Sequence, residues 1–135
     1  MYTFKDLVEI TAKLRAEDGC PWDREQTFES LRKYMREEAE EAVQAVDNED
    51  MENLCEELGD VLFAAAAVAR YAGIDPEQAL QEATDKYISR FACMERSAAE
   101  QGRSIAGMRL DEMIQAWNHA KQKLQQDTQE DKNNE

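Results

Sequence analysis

The chain is poor in the residues that break helices and in those that build covalent or metal–sulfur frameworks. Its 135 residues include two prolines, five glycines, three cysteines and one histidine. So few helix breakers leave room for long, uninterrupted helices. Cys20, Cys55 and Cys93 are widely spaced and odd in number, with no Cys-x-x-Cys pair, which argues against a disulfide framework or a cysteine zinc site. His119 is the one imidazole, so serine–histidine or cysteine–histidine catalysis would have a single candidate base. No run of about 18 apolar residues exists, and no membrane-spanning helix is expected. The start, Met1-Tyr2-Thr3-Phe4-Lys5-Asp6, has neither the basic opening nor the apolar run of a signal peptide. Cytoplasmic residence is the resulting expectation.

Basic residues are also in short supply. Sixteen Lys and Arg stand against 30 Asp and Glu, for a net charge of −14. Coating a polyanion needs a basic stripe, so no nucleic-acid polymer is expected as a partner. The charge does suit a protein that reaches an anionic ligand through a bound cation. Hydrophobic residues make up 42% of the chain, enough for a packed core. The length predicts one domain of ordinary size with no second domain. A domain this small leaves much surface uncovered, and association with a second copy would cover it.

Apolar residues recur at spacings of three and four, which predicts an all-α protein. A first helix is expected over about Thr3 to Ala16, then a break at Asp18-Gly19-Cys20-Pro21-Trp22-Asp23. A second runs from about Thr27 to Val46, with Leu31, Met35, Ala39, Ala42, Val43 and Val46 as its inner stripe. After a turn at Asp47-Asn48-Glu49, Asp50 reads as the cap of a third helix, Met51 to Tyr71. Its expected core face is Leu54, Leu58, Val61, Leu62, Ala65 and Val68. Gly73 reads as a helix stop, and Asp75-Pro76 as the cap and first residue of a fourth helix reaching about Glu100. A last helix covers about Leu110 to Leu124, and residues 125–135, which contain nothing apolar, are expected to be a disordered tail. The short link between helices two and three predicts an antiparallel hairpin.

That hairpin is acidic to an unusual degree. No Lys or Arg occurs between Arg36 and Arg70, while eleven acids do: Glu37, Glu38, Glu40, Glu41, Asp47, Glu49, Asp50, Glu52, Glu56, Glu57 and Asp60. A solvated helix face normally mixes signs, since opposite-sign pairs stabilise by about 0.2–0.5 kcal/mol and like-sign pairs cost a similar amount. Glu38 with Glu41, and Glu57 with Asp60, are each three apart, which brings the two side chains of a pair to one side of the helix. Glu38 and Glu57 border the apolar stripes and should lean towards the seam. Four carboxylates without His or Cys form a hard oxygen site, suited to Mg²⁺ or Mn²⁺ rather than zinc or copper. The competing reading is a solvated acidic face, which a single Glu-x-x-Glu would favour. A ferritin-like di-metal bundle would need Glu-x-x-His from two helices, which the lone His119 does not supply.

Cations return on the fourth helix, where Lys86 and Arg90 share a face beside Tyr87 and Phe91. The last helix repeats the spacing with Trp117 and Lys121. A metal cluster together with Lys and Arg is what a polyphosphate requires. The plainer alternative pairs Lys86 and Arg90 with nearby acids such as Glu82 and Glu95.

Three separated motifs then make the chain recognisable. They are Gly19-Cys20-Pro21-Trp22-Asp23-Arg24-Glu25-Gln26-Thr27; Glu37-Glu38-Ala39-Glu40-Glu41 followed by Glu56-Glu57-Leu58-Gly59-Asp60; and Lys86-Tyr87-Ile88-Ser89-Arg90-Phe91 with Leu110-Asp111-Glu112-Met113 and Trp117-x-x-x-Lys121. In this order and at these spacings, the sequence resembles the MazG-like nucleoside triphosphate pyrophosphohydrolases over residues 1–124. The resemblance implies an all-α fold whose bundle is completed by dimerisation, as a homodimer or a dimer of dimers. It implies hydrolysis of a nucleoside triphosphate to the monophosphate and pyrophosphate with Mg²⁺. By position, Glu38, Glu41, Glu57 and Asp60 match the family's metal ligands, and Lys86, Arg90, Trp117 and Lys121 match residues of nucleotide binding. Glu37 is implied as an outer carboxylate or a group orienting water. Beyond the resemblance, Trp117 or Trp22 is expected to stack on a base, a contact tolerant of base identity that fits nucleotide-pool clean-up. Two positions depart from the pattern: Phe28 stands where many members carry His, and helix three holds the run Ala64-Ala65-Ala66-Ala67. The expected reaction is attack of water on the α-phosphorus, with Glu38 or Glu41 taking the proton and the cations offsetting charge on the departing pyrophosphate. The rival expectation is a non-catalytic acidic helical module that binds a basic partner protein.

Overall fold

The computed structural model describes the backbone of residues 1–133 and the side chains of residues 1–129. Its elements are α1 (Phe4–Arg15), α2 (Pro21–Arg24), α3 (Phe28–Asp47), α4 (Met51–Tyr71), α5 (Pro76–Glu100), a 3₁₀ turn (Ile105–Gly107) and α6 (Leu110–Asn133). The expected all-α class holds among the described residues. The chain forms two compact units, with the division after Leu80, inside α5. A 25-residue helix is long enough, at about 1.5 Å per residue, for its first turn to belong to one cluster of contacts and its body to another.

In the first unit, α3 and α4 form the predicted hairpin, and α1 packs on α4 and on α2. Local chemistry sets each boundary. Thr3 caps α1 through a reciprocal pair: its hydroxyl accepts from the Asp6 N–H at 3.4 Å, and the Asp6 carboxylate accepts the Thr3 N–H at 2.7 Å. Thr27 and Ser30 repeat the arrangement at the start of α3. Asp50 caps α4 as expected, accepting the Asn53 N–H at 3.1 Å. At its end, Ile74 N–H donates to the Ala69 carbonyl at 2.8 Å and Gly73 N–H to Arg70 at 3.2 Å, with Gly73 at φ +71°. This double bond needs a left-handed residue, which explains the glycine. The expected break at residues 18–23 contains a one-turn helix, α2, with Pro21 at its first position. A four-residue helix lies below what apolar periodicity can register.

The inner stripes differ from those expected. On α3 the covered positions are Leu31, Tyr34, Glu38, Ala42 and Ala45, whereas Met35, Ala39, Val43 and Val46 are exposed. On α4 Leu54, Glu57, Val61 and Ala65 are partly covered and Ala64 and Ala66 fully buried, while Leu58 and Leu62 are about half exposed. The hairpin has more apolar residues than one seam accepts, so a second apolar strip faces outward in the single chain.

The second unit is built on Cys93, Met94 and Ala120, with Ile105, Met113, Ala116, Trp117 and Leu124 packed around them. Glu112 ties the loop to α6: it accepts the Arg109 N–H at 2.9 Å and pairs with Arg103 at 2.8 Å. Those donors hold its carboxyl below the usual range. Helix α6 does not stop at Leu124 but continues to Asn133, so over 125–133 the expected disordered tail is helix. Gln, Glu and Lys are good helix formers without any apolar contact, and Thr128 fastens the turn by donating its hydroxyl to the Leu124 carbonyl at 2.8 Å. The tail's last two positions, 134 and 135, lie outside the described residues.

A Cβ added at Gly19 would press on the Lys13 carbonyl oxygen and lie 2.8 Å from the Leu14 carbonyl carbon. Both are backbone, so neither can swing aside. Gly19→Ala should therefore destabilise the first unit by about 1–3 kcal/mol, measured as a lower urea midpoint. Gly59→Ala, at a helical position with open space around it, should be neutral or slightly stabilising in the same measurement.

Candidate functional site

The acidic hairpin places its carboxylates according to helix phase. Glu38 lies on the covered stripe of α3, one turn after Tyr34 and one before Ala42, and Glu57 lies on the covered stripe of α4 between Leu54 and Val61. Positions that would ordinarily take Leu or Val are occupied by acids. Together with the more exposed Glu41 they present three carboxylate oxygens within 4.8 Å of one another. Asp60 and Glu37 are outside this triad. Asp60 is near enough for its charge to act on both Glu38 and Glu57. Glu37 is drawn to its own helix, where it pairs with Lys33 at 3.6 Å on the surface.

The electrostatics of the triad are those of crowded like charges. The Glu38 carboxyl is pushed above its ordinary value, first by burial and then by the charges of Asp60, Glu41, Glu57 and Glu37. Glu57 is pushed up in the same way, by burial, then by Glu41, Asp60 and Glu56, and by a hydrogen bond with Glu41. No ion pair reaches any of the three among the described residues. The set is all oxygen and borne on two rigid helices, which fits a hard divalent cation and excludes a soft one.

Tyr34 was not singled out by sequence reasoning. Burial raises its phenol, and the charges of Glu38, Asp60 and Asp23 raise it further. Its position four residues before Glu38 on the same stripe is the signal that would have found it.

The Gly19–Thr27 segment is held by its own side chains. Arg15 donates to the Asp23 carbonyl at 3.3 Å, Arg24 to the Glu17 carbonyl at 2.7 Å, and Gln26 to the Trp22 carbonyl at 3.2 Å. Most of its polar residues thus serve the loop. Trp22 is the exception, with its ring 63% exposed. Phe28 meets Tyr71 edge-on at 4.5 Å, and the Arg15 guanidinium lies 4.2 Å over the other ring.

In the second unit, Lys86, Arg90 and Lys121 line one open groove. The expected alternative, in which Lys86 or Arg90 pairs with an acid, does not occur among the described residues: neither forms an ion pair there. Trp117 is partly buried, with the Tyr87 ring 5.3 Å and the Arg90 guanidinium 5.5 Å from it. It packs against the core of this unit and lines a separate apolar pocket with Tyr87, Phe91 and Met113.

The chain is similar to known proteins. The MazG nucleotide pyrophosphohydrolase domain matches residues 26–92, which contain Glu37, Glu38, Glu41, Glu57 and Asp60. The chain is 42% identical over 91 residues to the nucleoside triphosphate pyrophosphohydrolase/pyrophosphatase MazG of Thermotoga maritima, covering 64% of this chain and 36% of that protein. It is 35% identical over 118 residues to a nucleoside triphosphate pyrophosphohydrolase of Mycolicibacterium smegmatis, covering 86% of this chain and 35% of that one. The chain thus spans about a third of the length of these curated relatives. A crystal structure of a mazG-related protein from Thermotoga maritima superposes with a TM-score of 0.62 at 33% identity, over 87% of this chain and 98% of that one. With the acidic hairpin inside the matched segment, and a solved relative covered almost end to end, the chain belongs to the MazG nucleotide pyrophosphohydrolase family.

Proposed function

We propose that the chain, through a domain spanning residues 1–124, hydrolyses nucleoside triphosphates, ribo or deoxyribo, to the monophosphate and pyrophosphate. The observation that carries the reading is the convergence of Glu38, Glu41 and Glu57 within 4.8 Å, with no ion pair to any of the three among the described residues. Mg²⁺, or Mn²⁺ in its place, is the cation the donor set suits, with Asp60 as the fourth ligand. When bound, such an ion supplies charge neutralisation to the phosphoryl oxygens.

The chain's own groups do the rest. Water attacks the α-phosphorus, the bond to the bridging oxygen breaks, and pyrophosphate departs. Glu38 or Glu41 takes the proton from the attacking water. Lys86, Arg90 and Lys121 bind phosphate oxygens and offset the charge that builds on the leaving group. Trp22 and Trp117 offer ring faces to the base, a contact tolerant of base identity, as removal of unwanted nucleotides from the cytoplasmic pool requires. Glu37 contributes charge rather than direct contact. The outward apolar strip of Met35, Val43, Val46, Leu58 and Leu62 supports a homodimer, or a dimer of dimers, that completes the bundle.

Three outcomes are expected. With a mixture of NTPs and dNTPs and Mg²⁺, the product should be pyrophosphate; release of orthophosphate instead would reject the chemistry. Glu57→Gln should lower turnover by at least about a hundredfold, in line with removal of an essential electrostatic group, while circular dichroism stays unchanged. Mg²⁺ should raise the melting temperature by mass action beyond the effect of equal ionic strength, whereas an acidic module that only binds a basic partner would respond as to added salt.

The pH dependence has a defined sign. Glu38 and Glu57 have folded-state pKa values above the ordinary glutamate value. Between the ordinary and raised values the native state holds more protons than the unfolded chain, so stability falls as pH rises through that window. Metal-free protein in EDTA should show this loss in melting temperature, and Mg²⁺ should remove it. Glu38→Gln should flatten the metal-free profile.

A further inference from the structure

The groove of the second unit extends past the cations that sequence motifs single out. Besides Lys86, Arg90 and Lys121 it is lined by Ser89 on α5 and by Leu124, Gln125, Asp127, Thr128 and Gln129 on α6. Four of those residues on α6 are polar and come from the stretch expected to be a disordered tail. They are helical because α6 continues to Asn133. Gln125 is one turn beyond Lys121 on the same face, and Ser89 is three residues beyond Lys86.

The side chains of Ser89 and Gln125 are uncommitted among the described residues. The Thr128 hydroxyl is spent on the Leu124 carbonyl. Neither the Ser89 hydroxyl nor the Gln125 amide makes a hydrogen bond among the described residues, although both line a groove with three cations that have no ion-pair partner there. A hydroxyl and an amide N–H₂ offer donors and impose no charge of their own. Beside unpaired Lys and Arg, such donors suit an anion with many oxygens spread over several ångströms. From Lys121 to Thr128 the α6 wall runs about 10 Å, long enough for a chain of phosphates rather than one. Among the described residues Asp127 is the one carboxylate in the lining, against Lys86, Arg90 and Lys121, and it weakens the groove's hold on any anion.

We propose that Ser89 and Gln125 extend the cationic groove into a binding site for a pyrophosphate group, so that the turn of α6 beyond Lys121 is part of the substrate-binding machinery. The proposal rests on the pyrophosphohydrolase reading and adds to it which residues take the leaving end of the substrate. A site of this kind holds inorganic pyrophosphate without the metal, because every group invoked is in the second unit.

Calorimetric titration of the full chain with inorganic pyrophosphate in EDTA tests it. Wild type should bind, and Lys121→Ala should lose most of the binding. Ser89→Ala and Gln125→Ala should each weaken binding, by up to about tenfold if a hydrogen bond to a charged group is lost. Asp127→Asn should tighten it. In NTP hydrolysis, Ser89→Ala and Gln125→Ala should raise KM more than they lower kcat, and circular dichroism should confirm that α6 is intact. Unchanged pyrophosphate affinity in both variants, with Lys121→Ala defective and hydrolysis normal, would overturn this inference and leave the enzymatic reading standing. If wild type neither hydrolyses NTPs nor binds pyrophosphate, the enzymatic reading falls and the inference with it.

Discussion

The structure depends on a repulsion it does not relieve. Glu38 and Glu57 occupy places on the inner faces of α3 and α4 where an apolar residue would contribute to the seam. Each loses hydration there and meets other acids instead of a base. Burial and crowding hold both carboxyls above the ordinary glutamate value. A divalent cation bound among the three carboxylates would offset this crowding.

The rest of the first unit can be understood as support for that arrangement. Reciprocal capping at Thr3 and Thr27, the Asp50 cap and the Gly73 stop fix where each helix begins and ends. Since phase along a helix is set by where it starts, the caps determine that residues 38, 41 and 57 arrive on the same side. Ala64 and Ala66, fully buried, allow close packing on α4 without bulk. The short link from Asn48 to Asp50 keeps α3 and α4 antiparallel neighbours, so an acid late in α3 meets one early in α4.

The sequence revealed helices, caps and acids well, because each has a local cause. It misjudged the inner stripe of α3, where Met35, Val43 and Val46 were expected inside and Tyr34, Glu38 and Ala45 are there instead. Hydropathy ranks residues by what burial would contribute, and a functional acid at the seam inverts that ranking. It also assumes that a single chain buries all its apolar residues, which the strip from Met35 to Leu62 contradicts. Helix phase placed Asp60 beside Glu57, yet side-chain direction leaves it outside the triad. Helix α6 outran its expected end at Leu124 because propensity alone sustains a polar helix that apolar periodicity cannot detect. Ser89 and Gln125 went unnoticed for a similar reason: a neutral polar residue leaves no mark in charge or hydropathy, and only the groove shows its company.

A chain with 16 bases and 30 acids has every opportunity to pair each base. It leaves Lys86, Arg90 and Lys121 unpaired among the described residues, and it leaves the hairpin triad without a base. An exposed ion pair is worth little to folding, about 0–1 kcal/mol, so forgoing three costs little stability. The functional consequence is larger. A cation already bound to a carboxylate must give up that partner before it can hold a phosphate, and a carboxylate already bound to an ammonium group competes poorly for a metal. Keeping the two signs uncompensated leaves each set free for a ligand of opposite charge.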